Sequence, residues 1–568
     1  MKNPKRPAML AAPRFLACFL ALTLAFALLL PLPPNASAQP TAAPAQTALT
    51  AAEWREDLHF LAENLPKTHK NLFHTMTREQ FDAAVKALDA DIPSLDGHSI
   101  YIRLVQLCAR IQDGHSRLVR GASAVVPGSR LLPVRFVRYA DGIHVQGAAP
   151  EYADAVGGKL VGVGPVGWEE ALKRMATLVP HDAGNDGLQL WNATANLAHT
   201  RLLRGLGLGS SDSTADIAIE KAGKRRIFAM KGGVPARGWS TSNMPAGWID
   251  ARPASAPVPL SIQHADEPQW ITFVPEHRAV YFQFNDVRNG EKETLAQIAQ
   301  RLRTMLEGDS VDRIVIDLRN NGGGDNTLLR PLLLTLIRCR QNRRGGMVAL
   351  IGPRTFSAAQ NFTNRLESYT ETIFLGEPTG QNVNFYGDTN PIRLPHSRLV
   401  AYASWLWWQD KDPRDDRPFT APEVATCASF RDYAAGRDPA LELALSMAAP
   451  PSLEQWLEAG LPGGTDTLLA RYDTWVADPA HAYLTDPESQ VNDYACGLLG
   501  AKRLRESVAV FEVNARRHPK SVNAFDSLAE ACYAAGDTAR AIASLRRSVE
   551  LNPDNAGAKA MLEHLTRP

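Results

Sequence analysis

Apolar positions change their spacing several times along the chain. From Thr50 to Ile92, "TAAEWREDLHFLAENLPKTHKNLFHTMTREQFDAAVKALDADI" carries helical spacing with no strand alternation, and "SIYIRLVQLCARIQ" predicts a further helix that ends at "DGHSRL". From about Leu131 the pattern turns to short β-like runs broken by glycine, "LLPVRFVRYADGIHVQGA" and then "GGKLVGVGPVGWEEALKRM". Between about Ile271 and Pro378 strands and helices alternate. "RAVYFQF", "DRIVIDL", "MVALIG" and "TIFLGEP" predict strands; "ETLAQIAQRLRTMLEG", with Leu295, Ile298, Leu302 and Met305 on one face, "NTLLRPLLLTLIRC" despite Pro331, and "AAQNFTNRLESY" predict helices. Such alternation implies a mostly parallel sheet covered by helices, with chemistry on loops beyond the carboxyl ends of the strands.

After "AAPPSLEQW" the texture is helical again. Pro519 and Pro553 stand 34 positions apart, and Phe525, Leu528, Ala541 and Leu545 between them fall at the packing positions of a tetratricopeptide helix pair. The copy upstream, with Tyr494, Leu498 and Phe511, is degenerate. About three repeats are normally needed to bury a solenoid core, so this tail is expected to pack on the rest of the chain or on a second subunit.

A chain of 568 residues exceeds one core and predicts several units. With 61 Lys+Arg against 60 Asp+Glu the formal charge is +1, so no long-range field draws the protein to nucleic acid or an anionic membrane. Lys2, Lys5, Arg6 and Arg14 precede the apolar run "FLACFLALTLAFALLL", and Ala36 to Ala38 offer a small-residue cleavage site, which together predict a signal peptide and an exported protein, periplasmic or secreted. The remaining cysteines, Cys108, Cys339, Cys427, Cys496 and Cys532, form neither a disulfide framework nor a metal-site spacing. No His/Asp/Glu cluster has metal spacing, and no metal or other cofactor is expected.

Two loops carry the chemistry. "VIDLRNNGGGDN" runs a buried strand into Gly322, Gly323 and Gly324, whose backbone can approach a ligand closely and present N–H groups to an anion; it lacks the spacing of a phosphate loop. "GPRTFSAAQNF" places Ser357 between a strand and a helix, ahead of Ala358 and Ala359. Its hydroxyl is thus uncrowded, and the Ala358 N–H is free to meet a developing oxyanion. Taken alone, Ser357 reads more readily as a helix N-cap than as a nucleophile.

In this order on successive strands, "DLRNNGGG", "GPRTFSAAQNF" and "LGEPTG" resemble the tail-specific or C-terminal processing serine peptidases. The resemblance spans roughly residues 50 to 448 and is densest over 311 to 380. It implies an α/β crotonase-like spiral core with a PDZ-like insert before it, Ser357 as the acylated nucleophile, and the amides of Gly323 and Ala358 as the oxyanion hole. Many members of that family use a lysine base about 25 residues beyond the serine, but no lysine stands between Ser357 and Lys411. The branch similar to the tricorn protease core uses a histidine just before the insert, and His115 in "QDGHSRL" occupies that place. The tetrapeptide Asp-Gly-His-Ser also occurs at Asp96 to Ser99; that copy opens a helix, where Asp96 or Ser99 can cap, so His115 is preferred to His98. In the same branch a glutamate orients the histidine a few residues before a Pro-Asp pair. Here Pro422-Glu423 aligns with that pair and Asp416 takes the glutamate's place, with Asp415 as a rival; Gly114 stands where the branch tends to place a serine. Trp405, Trp407 and Trp408 in "SWLWWQD" could line a substrate pocket, although alternation in a half-buried strand also explains them.

The expected organisation is a signal peptide over 1–38, a linker and helical segment over 39–120, a β-rich PDZ-like insert over 121–265, the α/β peptidase core over 266–450 and a tetratricopeptide-like α-helical tail over 451–568. The expected function is an exported serine peptidase acting on peptides or protein tails. Rival readings are a catalytically silent protein that binds a peptide or hydrophobic ligand on the same fold, and an adaptor whose tail recruits a protein partner.

Overall fold

The computed structural model describes residues 49–120, 130–235, 244–448, 451–482 and 486–567. The expected signal peptide and the linker up to Thr47 lie outside the described residues. Among the described residues no helix is long and apolar enough to cross a membrane.

Three helices open the described chain: α1 (Ala51–Thr68), α2 (Arg78–Asp91) and α3 (Gly97–Ala109). Thr50 and Thr77 close capping boxes with Glu53 and Gln80, which satisfies orphan N–H groups at both helix starts. After α3 the chain enters the short strand β1 (Arg117–Arg120). The β-rich segment that follows builds a seven-stranded sheet, beginning with the hairpin of strands Val134–Tyr139 and Gly142–Ala148. The helical segment and this sheet share one apolar core, which runs from Leu58 and Leu104 through Val145 and Ile217 to Ala401. Residue 120 therefore does not divide two packing units.

The α/β region is a six-stranded sheet. Strand β2 (Gln269–Val274) runs antiparallel to β3 (Ala279–Phe284); beyond it, β4 (Arg313–Asp317), β5 (Met347–Ile351) and β6 (Ile373–Gly376) are parallel. β3, β5 and β6 are buried along their whole length, as strands covered on both faces must be. One face is covered by helices Leu295–Leu306, Arg330–Arg338 and Ala358–Tyr369, the other by helix Pro439–Ser446. The helix expected across Pro331 is split. A 3₁₀ turn covers Asn326–Leu329, and Pro331 stands in the first turn of the α-helix, where its missing N–H costs nothing.

Two long antiparallel strands leave this sheet, β7 (Asn384–Arg393) and β8 (Leu399–Gln409), and β1 adds to β8 with Arg117 opposite Tyr402. This pairing carries the end of the N-terminal helical segment to the core. A two-residue strand, β9 (Val424–Ala425), completes the large sheet beside β6.

The tail is a run of helices, of which Pro487–Gly500, Leu504–Arg517, Val522–Ala534 and Thr538–Leu551 share a core with Phe511 fully buried in it. Tyr494 and Leu498, in the copy read as degenerate, are buried as well.

Candidate active site

Ser357 follows β5 and begins helix Ala358–Tyr369 with φ 57° and ψ −125°, a backbone conformation that ordinary residues avoid. Its side chain makes no capping hydrogen bond. The strained turn instead lifts the hydroxyl out of the helix, as a nucleophile elbow does. The turn is stitched in place: Phe356 N–H donates to the Asn321 carbonyl at 3.1 Å, Thr355 Oγ1 donates to the Leu318 carbonyl at 2.9 Å, and Ser357 N–H donates to Gln381 Oε1 at 2.9 Å.

His115 reaches this serine from the loop between α3 and β1. Its Nε2 lies 2.9 Å from Ser357 Oγ. For the hydroxyl to donate there, the ring must carry its proton on Nδ1. Nδ1 is buried and, among the described residues, has no hydrogen-bond partner; Asp113, Arg117, Asp388 and the main chain of Tyr386 all act on the ring. Phe356 and Phe385 flank the imidazole, with ring centroids 4.6 and 5.9 Å away. Burial pushes the His115 pKa below its ordinary value, partly offset by the Asp113 charge, so the ring is kept neutral.

Asp113 anchors the loop that carries His115. Its Oδ1 accepts the His115 N–H at 2.9 Å and its Oδ2 accepts the Ser116 hydroxyl at 2.5 Å. His69 Nε2 donates to the same Oδ2 at 3.0 Å, because His69 Nδ1 is already occupied by the Asn71 N–H. Burial works against the Asp113 charge, yet the His69 hydrogen bond and the neighbouring His115 hold the carboxyl below the usual range.

Gly323 abuts Ser357. With φ 106°, it leaves no room for a side chain: a Cβ there would stand 2.6 Å from the Ser357 Cβ. Its N–H, however, donates to Asn321 Oδ1 at 3.0 Å, so the amide read as an oxyanion donor is occupied in this state. The Ala358 N–H, in the first helical turn, has no partner within the helix. Behind the glycine loop Arg319 clamps Asp317 and Asp438, with nitrogen–oxygen distances of 2.6 and 2.8 Å, which fixes the end of β4.

Asp416 is not brought to His115. It is exposed and lines a polar cleft with Arg344, Glu367 and Arg417, while Asp415 accepts from Arg417 at 2.8 Å. Among the described residues neither forms a hydrogen bond to the imidazole, so the sequence assignment of Asp416 as its orienting carboxylate lacks geometric support. His98 lies elsewhere and bonds the Arg201 carbonyl at 2.8 Å. Trp405 and Trp407 project from β8 into solvent, 46% and 41% exposed, as strand alternation predicts, and Trp408 Nε1 donates to Asp388 at 2.9 Å. No group of His, Cys, Asp and Glu that could hold a metal occurs among the described residues. Sequence reading overlooked Asp113 as an anchor, although it stands inside the quoted motif. It had no signal for Gln381, Phe356 or Phe385, whose roles exist only through folding.

No protein-family model matches the chain, and no curated protein matches it. Solved structures do. Mature CPAF complexed with lactacystin is matched at 13% identity over 70% of this chain and 98% of that one, with a TM-score of 0.50. Mature CPAF alone is matched at 12% identity over 70% and 96%, with a TM-score of 0.50. The photosystem II D1 C-terminal processing protease is matched at 13% identity over 68% and 99%, with a TM-score of 0.32, too low to argue from. The chain has a fold like that of mature CPAF.

Proposed function

We propose that the protein is a serine peptidase that hydrolyses peptides or protein tails through an acyl-enzyme on Ser357. The observation that carries this reading is the 2.9 Å approach of His115 Nε2 to a serine hydroxyl held on a strained turn. Ser357 Oγ attacks the scissile carbonyl carbon while its proton passes to His115 Nε2. The tetrahedral oxyanion is held by the Ala358 N–H, and by the Gly323 N–H once substrate draws it from Asn321. Collapse breaks the C–N bond, and Nε2 returns the proton to the leaving amine. Water then repeats the sequence on the ester, with His115 again as base. Asp113 fixes the His115 backbone. Each oxyanion donor contributes about 10² to 10³ in turnover.

The core is read as a crotonase-like spiral, the β-rich segment as a PDZ-like insert and the tail as tetratricopeptide-like; strand–helix alternation, the hairpin sheet and the paired helices support these readings. The charged and apolar order of residues 1–38 supports export. One observation favours a silent, ligand-binding protein on the same fold: among the described residues no carboxylate bonds His115 Nδ1. Fluorophosphonate labelling, with the adduct mapped by mass spectrometry, separates the two. The peptidase reading expects an adduct on Ser357 that is lost in Ser357→Ala and falls steeply in His115→Ala. A folded protein that takes no adduct overturns it.

A further inference from the structure

Asp182, in the loop before helix Gly187–Asn196, lies in the β-rich segment far from both reacting residues in sequence, and it is 4% exposed. Three N–H donors converge on its carboxylate. Oδ1 accepts the Gly114 N–H at 2.8 Å; Oδ2 accepts Gln381 Nε2–H at 2.6 Å and the Asn382 N–H at 3.0 Å. Gly114 immediately precedes His115. Gln381 is fully buried, and its Oε1 accepts the Ser357 N–H at 2.9 Å. The carboxylate thus reaches the base on one side and, through a single amide, the nucleophile on the other. Asn185, in the same loop, donates to the carbonyls of Thr379 at 2.9 Å and Pro418 at 2.6 Å, which fastens this part of the loop to the core.

We infer that Asp182 is a positioning residue that sets Ser357 and His115 at reacting distance, so that the β-rich segment supplies part of the active-site frame. The inference rests on the reading of Ser357 and His115 as nucleophile and base. Among the described residues no Lys, Arg or His forms an ion pair with this carboxylate. Burial, reinforced by the Asp113 charge, pushes the Asp182 carboxyl up to about 7, and a proton there would remove one of its acceptances. Gly114 is required by the same arrangement: a Cβ there would lie 3.2 Å from Asp182 Oδ1 and 2.8 Å from the Phe356 ring.

The test is the rate of fluorophosphonate labelling of Ser357 in the full chain, measured against probe concentration. Asp182→Asn sets an amide donor against the donors of Gln381 and Asn382. Gln381→Glu sets two carboxylates together. Each is expected to lower the limiting labelling rate by about 10- to 100-fold with little change in half-saturation, as a misplaced reacting pair does. The double variant restores a donor–acceptor pair between these positions and is expected to recover much of the rate. Asp182→Asn should also lose the step near pH 7 in the rate profile. Gln381→Ala removes the link to Ser357 without adding charge and serves if either single variant is unfolded. Single variants that label at the wild-type rate overturn the positioning role and leave the Ser357–His115 reading intact. A double variant no better than the singles overturns it too. A wild-type protein that labels nowhere overturns the underlying reading instead.

Discussion

Asp-Gly-His-Ser occurs twice in this chain, and the two copies do different work. In the first, Asp96 caps α3 by accepting the Ser99 N–H at 2.7 Å, and Arg204 pairs with its other oxygen at 2.7 Å. His98 then lies along the helix and donates to the Arg201 carbonyl. In the second, Gln112 turns the chain out of the helix with φ 54°, Asp113 takes the His115 N–H two residues on, and the following residues pair with β8. The four residues are the same; their flanks decide. "IYIRLVQL" continues a helix, whereas "RLVR" joins a sheet that delivers the imidazole to Ser357.

The largest expected contrast is in reactivity. His115→Ala should lower Ser357 labelling by about 10² to 10⁴-fold, the usual contribution of a general base. His98→Ala should leave it within about two-fold, since the half-buried His98 bonds the Arg201 carbonyl rather than either residue of the Ser357–His115 pair. Equal losses in the two variants would break the comparison.

The two aspartates differ next. Asp113→Ala leaves the His115 N–H, the Ser116 hydroxyl and His69 without their acceptor in a buried site. It should lower stability by about 3 kcal/mol and slow labelling as well, checked by denaturant melting alongside the labelling rate. Asp96→Ala removes an exposed cap and should lower stability by about 1 kcal/mol with labelling unchanged. A labelling defect in Asp96→Ala would mean that the first copy also supports the site.

This contrast marks how far the sequence could be read. The strand and helix order around β4, β5 and β6, the glycine loop and Ser357 were legible because each leaves a local signature: buried aliphatic runs, φ-permissive residues, a small hydroxyl side chain at a strand end. His115 was separable from His98 because the first copy precedes a helical run. What supports the His115 ring was not legible. Asp416 was chosen by its place before Pro422-Glu423, but the chain there turns Asp415 to Arg417 and leaves Asp416 facing a polar cleft. Asp182 and Gln381 could not be found at all, because single polar residues in loops become a network only when the β-rich segment packs on the core.

The glycines sharpen the comparison at a smaller scale. A Cβ on Gly114 would press to 2.8 and 2.9 Å from the Phe356 ring, which itself packs on His115. Gly114→Ala is therefore expected to cost about 1 to 3 kcal/mol and to slow labelling. A Cβ on Gly97 would meet Trp54 at 3.4 Å, an ordinary contact at the start of a helix. Gly97→Ala should be neutral or slightly stabilising, since alanine loses less backbone freedom on folding. Thermal melting with parallel labelling reads both.

The smallest effect is the one the two histidines share. Burial is the leading cause that lowers the pKa of His98 and of His115 below the ordinary 6.5. Each ring is then neutral in the folded protein at a pH where the unfolded ring has begun to take a proton. Between 6.5 and the lower folded value the unfolded state binds more protons, so stability is full above 6.5 and declines as pH falls through that window. Asp182, held at about 7 when folded, acts in the opposite sense across the same window, so in melting curves the histidine contribution is read as the change in slope between wild type and His98→Ala or His115→Ala. The labelling rate responds to one copy alone. Its full loss should come below pH 6.5, beneath the step that Asp182 contributes near 7, and His98→Ala should leave that limb where it stands. A limb that moves in His98→Ala would show that the first histidine communicates with the second, and the two copies could no longer be treated as independent.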